Sequence, residues 1–329
     1  MKKTLEYLFE HKTLSKEQAR SILVAISEDQ FEPCQVAAFL TIFRVRGITV
    51  EELGGFRDAL RELCIRIELD EFEPIDLCGT GGDGKDTFNI STLASFVTAG
   101  AGVKVAKHGN YAVSSSCGSS NVMETLGYQF TNNQDRLKRQ IDNAGICFLH
   151  APLFHPAMKA VAPVRRSMGI ATFFNMLGPM VNPAFPKNQL VGVFSLELLR
   201  FYQYLYQNTD IEYRIVHSLD GYDEISLTSD VKVLSPVAER LMKPEDLSQH
   251  RLTQASIHGG QNVEEAVTIF KNILDGKGTE AQNAVVCVNS GMAINCAYPE
   301  KSIEDCIAMA KESLESGKAK NVLKTLLNL

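Results

Sequence analysis

The first 66 residues have the hydrophobic spacing of amphipathic helices. Two capping-box pairs mark helix starts, Ser15 with Gln18 and Thr49 with Glu52, and Gly47 ends the run that begins near residue 33. That run places its apolar residues at helical spacing: Val36, Phe39, Leu40 and Phe43. This segment therefore predicts four helices and no strand.

The pattern changes at Pro74. The apolar run PIDLC enters a glycine cluster, NISTLASFVTAGAG has helical character, and VKVAKHG predicts a second strand. Together they predict a β-loop-α-β unit. Further strands are predicted from Ile146, Gln189, Glu212, Glu224 and Val231, with helical patterns over 155–177 and from 262 onward.

These elements predict an α/β protein with two domains. A small all-helical N-terminal domain is expected over residues 1–66, joined by part of 155–185. A larger α/β domain is expected over 67–329, built on a central, mostly parallel sheet.

Composition and charge exclude several classes of protein. Hydrophobic residues make up 45% and charged residues 22% of the 329, as in ordinary globular proteins. The net charge of −6 disfavours binding to nucleic acid. The longest apolar runs, near Ala37 and Ala94, are shorter than the roughly 20 residues of a membrane span, and Glu6 and Glu10 interrupt any signal peptide. Eight cysteines without a CxxC pair are typical of reduced thiols, so we expect a cytoplasmic protein.

The strongest local signal is the loop DLCGTGGDG from Asp76 to Gly84. Its four glycines let backbone N–H groups converge on anionic oxygens at the start of the following helix. The loop matches neither GxGxxG with an acidic ribose ligand nor GxxxxGK[ST], so it indicates neither a dinucleotide site nor a P-loop. It predicts a phosphate site of another kind, with an ordinary tight turn as the alternative.

Polar side chains follow this loop and the second strand. Ser91 and Thr92 either cap the helix or contact phosphate and Mg²⁺. Lys107 and the hydroxyls of 114–119 follow the neighbouring strand. Since both loops leave the same edge of the sheet, we expect a second anion-binding loop there.

Two charged pairs are further candidates. Asp223 and Glu224 precede a predicted strand, and adjacent carboxylates on an extended segment point to opposite sides. That arrangement suits two metal ions, or one direct and one water-mediated ligand, unless the pair is simply a charged loop. Arg165 and Arg166 lie in a helical pattern, where one of them either is solvated or binds a carboxylate through two hydrogen bonds.

Taken together, these motifs resemble the anthranilate phosphoribosyltransferase family. The matching motifs, in order and spacing over about residues 74–228, are GTGGDG, TFNIST, KHGN, VMETLG, HPAMKAVAPVRR, FNMLGPMVNP and DEISLT. The resemblance implies a fold like that of nucleoside phosphorylases and this class of phosphoribosyltransferases. It also implies transfer of the phosphoribosyl group from phosphoribosyl pyrophosphate to the amine of anthranilate in tryptophan biosynthesis, two Mg²⁺ ions per site, and a homodimer formed through the helical domain.

The same resemblance implies roles for individual residues, with none as acid or base and Lys107 acting electrostatically. The implied phosphoribosyl pyrophosphate contacts are Gly79, Gly82, Asp83, Thr87, Asn89, Ile90, Ser91, Thr92, Lys107, His108, Gly109, Asn110, Tyr111, Ala112, Val113, Ser114, Ser115 and Ser119. The implied anthranilate contacts are Gly79, Asn110 and Arg165, and the implied Mg²⁺ ligands are Ser91, Asp223 and Glu224.

The sequence departs from the family's commonest pattern in a few places. Tyr111 stands where many members have arginine, and Cys117, Ser120 and Asn121 occupy positions often filled by Ser, Ala and Asp. Loss of a positive charge beside a phosphate loop weakens donor binding or changes how the loop closes. None of these positions is an implied metal or anthranilate contact.

Two other functions stay open on the sequence. A nucleoside phosphorylase of related fold also joins a helical domain to an α/β domain and uses phosphate, although FNMLGP and KHGN with Arg165 favour the transferase. A non-catalytic relative that binds nucleic acid would have a basic groove and damaged donor or metal motifs. Here the net charge is −6, and GTGGD, NIST and DE are intact.

Overall fold

The computed structural model describes residues 1–111 and 117–329, which divide into two compact units. The first unit comprises Met1–Arg66 and Ala151–Pro183, and the second comprises Ile67–His150 and Ala184–Leu329. The α-helices are α1 (Lys2–Phe9), α2 (Lys16–Ser27), α3 (Pro33–Arg46), α4 (Val50–Leu63), α5 (Ile90–Gly100), α6 (Ser119–Thr125), α7 (Gln134–Ala144), α8 (Ala151–Phe154), α9 (Pro156–Met168), α10 (Phe174–Leu177), α11 (Leu196–Tyr206), α12 (Val263–Leu274), α13 (Glu280–Ala297), α14 (Ile303–Glu315) and α15 (Lys318–Leu327). The strands are β1 (Ile75–Gly79), β2 (Val105–Gly109), β3 (Ile146–His150), β4 (Asn188–Gly192), β5 (Glu212–Ser218), β6 (Val231–Leu234) and β7 (Glu239–Met242).

The first unit contains α1–α4 and α8–α10, and aromatic rings pack in its interior. Phe56 stacks on Phe173 with ring centroids 4.2 Å apart, and Phe43 meets both rings edge-on. Both predicted capping boxes are present, at the starts of α2 and α4. In the second box the fully buried Glu52 also accepts hydrogen bonds from the Leu14 N–H and the Arg46 guanidinium, so this carboxylate joins three segments of the unit.

The helix predicted over residues 155–177 is interrupted. Gly169 adopts φ +65° and its N–H bonds the carbonyl of Arg165, which ends α9 at Met168. A short helix, α10, then follows. The predicted helical pattern is therefore divided into two helices, because Gly169 adopts the left-handed conformation and ends the first of them.

Burial of His155 makes the first unit sensitive to acid. Its side chain is 1% exposed, and burial lowers its pKa to about 4. In the unfolded chain the pKa of a histidine is near 6.5, so the unfolded state takes up a proton at a higher pH than the folded state does. The free energy of unfolding is therefore highest above about pH 6.5 and falls by about 3 kcal/mol in all as the pH is lowered to 4. We expect the difference in free energy of unfolding between the wild type and His155→Gln to shrink between pH 7 and pH 5 in urea titrations. A constant difference would contradict this assignment.

The second unit is built on one sheet with strand order β3-β2-β1-β4-β5-β6-β7. The pairs from β3 to β5 are parallel, and β6 and β7 are antiparallel additions at one edge. An apolar cluster of the unit lies between the sheet and helices such as α5 and α13, and Phe96, Phe148 and Phe270 belong to it. The α/β class and the mostly parallel sheet are therefore confirmed.

One strand prediction was wrong, and one strand was missed. The segment 224–228 is irregular, because the side-chain amide of Asn289 bonds both the N–H and the carbonyl of Ile225 and so replaces strand pairing. Leu227 there has φ +59°. Strand β7 was not predicted, because its residues are mostly exposed and it exists through pairing with β6.

Candidate active site

The strand order of the sheet has its switch point at β1. This strand lies between β2 and β4, so the order in which the chain adds strands reverses here. In open α/β sheets, ligands bind outside the carboxyl ends of the strands at such a switch point. The five parallel strands β1–β5 end on this side of the sheet, four of them in Gly79, Gly109, His150 and Gly192.

The glycine loop after β1 has the backbone that its sequence predicted. Gly81, Gly82 and Gly84 have φ values of +65°, +78° and +68°, which residues other than glycine rarely adopt. The loop is anchored at its start, where the Thr80 N–H donates to the carbonyl of Gly192 over 3.0 Å. Gly82 is exposed, and Asp83 accepts the N–H of Lys85 over 3.0 Å, so the loop presents open backbone at the strand end.

Two glycines leave the space in which Asp223 packs against the sheet. A Cβ on Gly79 would lie 2.3 Å from Oδ2 of Asp223, and a Cβ on Gly192 would lie 1.5 Å from the carbonyl oxygen of Asp223. The two glycines are register partners at the carboxyl ends of β1 and β4. The loop that carries Asp223 therefore packs directly on the ends of these two strands. Gly192 was not predicted, although a glycine inside a strand signals close approach of another backbone.

The carboxylates of Asp223 and Glu224 point to different segments. Asp223 Oδ2 accepts the N–H of Gly81 over 2.7 Å, and Glu224 Oε1 accepts the N–H of Ser91 over 3.1 Å at the start of α5. Burial raises the pKa of Asp223 well above its usual value, and the charges of Asp83 and Glu224 raise it further. Burial also raises the pKa of Glu224 to about 7, against the charge of Lys107. Carboxylates held together in this way form a natural cation site.

Lys107 lies inside β2, within the strand predicted for VKVAKHG, and is 1% exposed, so its predicted place in the anion-binding loop after that strand was wrong. Its ammonium donates to the carbonyl of Leu77 over 2.6 Å and to Ser91 Oγ over 3.3 Å. Burial lowers the pKa of Lys107, while the charges of Asp76 and Glu224 oppose that shift. The ammonium therefore lies beneath the site, where it orients Ser91.

Asp76 begins the glycine-loop motif, but its role in the structure was not predicted. Its Oδ1 accepts the N–H of His108 over 3.1 Å, and its Oδ2 accepts the side-chain amide of Gln189 over 3.3 Å. Gln189 in turn accepts the hydroxyl of Tyr206 over 2.5 Å. This buried network joins β1, β2 and β4 directly beneath the glycine loop and fixes the spacing of the strand ends.

The other predicted donor contacts are distributed around the same edge. Thr87 forms an isolated bridge with His258, and Asn89 donates its side-chain amide to the carbonyl of Cys117 over 3.0 Å. Ile90 and Thr92, in the first turn of α5, are buried. At the end of β2 lie Gly109, Asn110 and Tyr111, with Ser119 opposite them. The predictions for Ala112, Val113, Ser114 and Ser115 lie outside the described residues.

Arg165 belongs to the first unit. Its guanidinium donates to Oδ1 of Asn175 over 3.2 Å and lies 5.1 Å from the ring centroid of Phe174. Burial lowers the pKa of Arg165. The neighbouring Arg166 is exposed, so Arg165 is the member of the pair that the fold orients.

The oxygen ligands suit Mg²⁺. Within residues 1–111 and 117–329, no group of three or more His, Cys, Asp and Glu side chains is arranged to hold a metal ion. Mg²⁺ does not need such a cage, because it is usually bound by one or two carboxylates together with water and substrate phosphates. Asp223, Glu224 and the hydroxyl of Ser91 supply that kind of donor set.

A separate question is whether any helix crosses a membrane. Among the helices described, none has the length and apolar character needed to do so.

Comparison with known proteins gives consistent matches along the chain. Residues 72–320 match the model of the glycosyl transferase family, a/b domain, and residues 2–64 match its helical bundle domain. The anthranilate phosphoribosyltransferase of Flavobacterium johnsoniae is 59% identical over 329 residues, covering 100% of this chain and 99% of the relative.

Solved structures agree with these matches. The anthranilate phosphoribosyltransferase of Thermus thermophilus is similar, with a TM-score of 0.91, 32% identity and 98% of each chain covered. The enzyme of Saccharomyces cerevisiae in complex with PRPP and Mg has a TM-score of 0.87 and 28% identity, covering 96% of this chain and 93% of that one. The yeast enzyme with 4-fluoroanthranilate has a TM-score of 0.85 and 25% identity, covering 96% and 92%.

Proposed function

This chain belongs to the anthranilate phosphoribosyltransferase family, and we propose that it transfers the phosphoribosyl group of phosphoribosyl pyrophosphate to the amine of anthranilate. The products are N-(5-phosphoribosyl)anthranilate and pyrophosphate, in tryptophan biosynthesis. The observation that carries the proposal is the junction of the glycine loop with Asp223 and Glu224 at the switch point of the sheet. It combines backbone donors for a diphosphate with carboxylates for a divalent cation.

The ends of β1 and β2 are the proposed donor site. The glycine loop with Asp83 and the start of α5 would receive the diphosphate and ribose, and Asn110 and Tyr111 would contact the donor from the neighbouring strand end. Open backbone in the loop supports this assignment, as does the N-terminus of α5, where the side chain of Asn89 makes no capping hydrogen bond.

Ser91, Asp223 and Glu224 are the proposed Mg²⁺ ligands. The two carboxylates are bound by different segments, Gly81 and Ser91, which supports two ions per site instead of one chelate. Bound Mg²⁺ supplies positive charge that stabilises the leaving pyrophosphate. Lys107 contributes by orienting the Ser91 hydroxyl and by offsetting the charge of Glu224.

The chemistry requires little proton transfer before the bond is formed. The aromatic amine is neutral near pH 7, so its nitrogen attacks ribose C1 while the bond from C1 to the pyrophosphate oxygen breaks. The amine then loses a proton to water or to pyrophosphate. Orientation of the amine behind C1 and stabilisation of the leaving group are thus the main contributions of the protein.

The test is to mix the protein with Mg²⁺, phosphoribosyl pyrophosphate and anthranilate and to follow the loss of anthranilate fluorescence. We expect a loss of anthranilate fluorescence that requires the protein, Mg²⁺ and phosphoribosyl pyrophosphate. Omitting anthranilate and supplying a nucleoside with phosphate tests the phosphorylase alternative, for which we expect no phosphorolysis. No fluorescence change with the complete mixture would contradict the proposal.

Arg165 is proposed to hold the carboxylate of anthranilate. A guanidinium binds a carboxylate through two charge-assisted hydrogen bonds, so Arg165→Ala should raise the anthranilate KM by about 10- to 150-fold, as expected for about 1.5–3 kcal/mol. The donor KM should change little, and Arg165→Lys should recover only part of the loss. Steady-state kinetics with each substrate varied in turn measure both effects.

Arg166→Ala is the matched control, because Arg166 is the exposed neighbour on the same helix. We expect it to leave both KM values near those of the wild type. A rise in the donor KM with an unchanged anthranilate KM in Arg165→Ala would instead place Arg165 in the phosphate site.

We propose that the chain forms a homodimer through its helical domain, residues 1–66. Phe9 and Val45 are exposed there at 62% and 78%, which supports an interface. Light scattering at micromolar concentration should give about twice the monomer mass of 36.3 kDa. A mass near 36.3 kDa would refute the dimer.

The cytoplasm is the proposed location. All eight cysteines of the sequence have free thiols, and five of them are buried. Free thiols of this kind are typical of a reducing compartment.

A further inference from the structure

His150 ends β3 at the same sheet edge as the donor site but has no role in the reaction described above. It is the register partner of Gly109, the last residue of β2, so its side chain lies beside the segment that follows β2. The side chain is 6% exposed. Neither the sequence motifs nor the implied contacts included it.

The imidazole of His150 is held between two aromatic rings. Phe130 stacks on it with ring centroids 4.5 Å apart and an interplanar angle of 22°. Tyr111 meets it edge-on, with centroids 4.8 Å apart at 79°. Tyr111 is 39% exposed, and its hydroxyl lies 3.4 Å from the carboxylate of Glu124, so one part of the ring packs on the buried imidazole while another part faces solvent.

A hydrogen bond connects His150 with the start of α6. Its Nδ1 lies 2.8 Å from Oγ of the buried Ser120. The backbone N–H of Ser120 donates to the carbonyl of Asn110 over 3.1 Å, and the hydroxyl of Ser119 donates to the same carbonyl over 3.3 Å. The Tyr111 N–H in turn bonds Oδ1 of Asn110 over 2.8 Å.

Two contacts therefore lead from one buried ring to adjacent residues of the donor site. The first passes through the ring of Tyr111, and the second passes through Ser120 to Asn110. Binding is weakened when exposed groups must be ordered by the ligand, and prior ordering by the protein removes that cost. A buried residue with fixed contacts on both sides is well suited to supply such ordering.

We propose that His150 is a positioning residue for the binding of phosphoribosyl pyrophosphate. The His150 side chain holds Asn110 and Tyr111 in the conformation that receives this donor. It does not touch the substrate. The inference rests on the proposed function and extends it to a residue outside the motifs.

The test is calorimetric titration of the full chain with phosphoribosyl pyrophosphate and Mg²⁺, without anthranilate. His150→Ala removes both contacts and should raise the donor Kd about five- to tenfold. Ser120→Ala removes only the hydrogen bond, and His150→Phe keeps an aromatic ring between Phe130 and Tyr111. Each of these two variants should give a smaller rise, of about two- to fourfold.

Tyr128→Phe is the matched structural control. Tyr128 lies in the same aromatic group, 5.2 Å from the ring of Phe130, and its hydroxyl donates to the buried Gln140 over 2.8 Å. Its loss should lower the melting temperature and leave the donor Kd unchanged, because the hydroxyl bonds Gln140 and lies outside both routes from His150 to Asn110 and Tyr111.

The outcomes separate the inference from the proposed function. A wild type that binds the donor while His150→Ala binds it equally well would overturn the inference alone. A wild type that binds no donor would overturn both. If His150→Ala does not fold, Ser120→Ala and His150→Phe decide, and an unchanged Kd in both overturns the inference.

Discussion

Gly192→Ala should reduce kcat/KM by at least about 100-fold, although the substitution adds only one methyl group, beneath the loop that carries the carboxylates. The new Cβ would lie 1.5 Å from the carbonyl oxygen of Asp223 and 2.4 Å from its carbonyl carbon. The contact is with backbone, so no side-chain rotation relieves it. The loop that carries Asp223 and Glu224 must move, and a displacement of about 1 Å at a catalytic site is enough for a loss of this size.

Gly178→Ala is the matched control for this result. Gly178 has negative φ, and a Cβ there meets nothing within 4 Å. We expect wild-type kinetics from this variant. Overpacking in Gly192→Ala should also cost about 1–3 kcal/mol of stability, so activity is to be measured well below its melting temperature. A folded Gly192→Ala with normal kcat/KM would show that the position of Asp223 is not critical.

Elements specified by local signals could be predicted from the sequence. Helix α3 begins at Pro33 and is capped by Gly47 with φ +87°, as its pattern indicated. The unit of β1, the glycine loop, α5 and β2 was also predicted, because a change from strand to helix spacing around a glycine cluster is visible in a short window.

Elements specified by distant residues could not be predicted in this way. The apolar run at 225–227 has the composition of a strand, but Asn289, on α13, takes up the backbone bonds of Ile225. The seat of Asp223 depends on Gly192, a residue 31 positions earlier whose role is visible only after the sheet has formed. Tertiary contacts determine the conformation of such segments, and the spacing of hydrophobic residues in the sequence does not reveal those contacts.

The candidate site shows the same division. From residue types alone, the glycine loop indicated a phosphate site, and Ser91 with the Asp223–Glu224 pair were candidate metal ligands, with a tight turn, a helix cap and a charged loop as the alternatives. The sequence could not place the Lys107 ammonium beneath the loop, bonded to Leu77 and Ser91, because that position depends on the pairing of β2 with β1. His150 carries no motif at all, and its position became apparent only from the register of β3 with β2.

Glu224→Gln should lower kcat by about 100-fold or more and reduce the Mg²⁺ bound with the donor from the two ions proposed above to one per site. The amide oxygen can still accept the Ser91 N–H, which Glu224 accepts over 3.1 Å, so the local structure should survive while the ligand charge is lost. Kinetics over a range of Mg²⁺ concentrations and calorimetric titration of Mg²⁺ in the presence of phosphoribosyl pyrophosphate, without anthranilate, measure the two effects.

Asp220→Asn separates loss of a metal ligand from damage to the loop. Asp220 lies in the same loop, but its carboxylate accepts hydroxyls of Thr228 and Ser229 over 2.6 and 2.7 Å instead of groups at the sheet edge. If loop structure alone mattered, both variants would lose activity without a change in Mg²⁺ dependence. Because we assign Glu224 to the metal, we expect Glu224→Gln alone to require more Mg²⁺ for half-maximal rate. An unchanged Mg²⁺ requirement in Glu224→Gln would remove Glu224 from the metal site and leave Asp223 and Ser91 as its ligands.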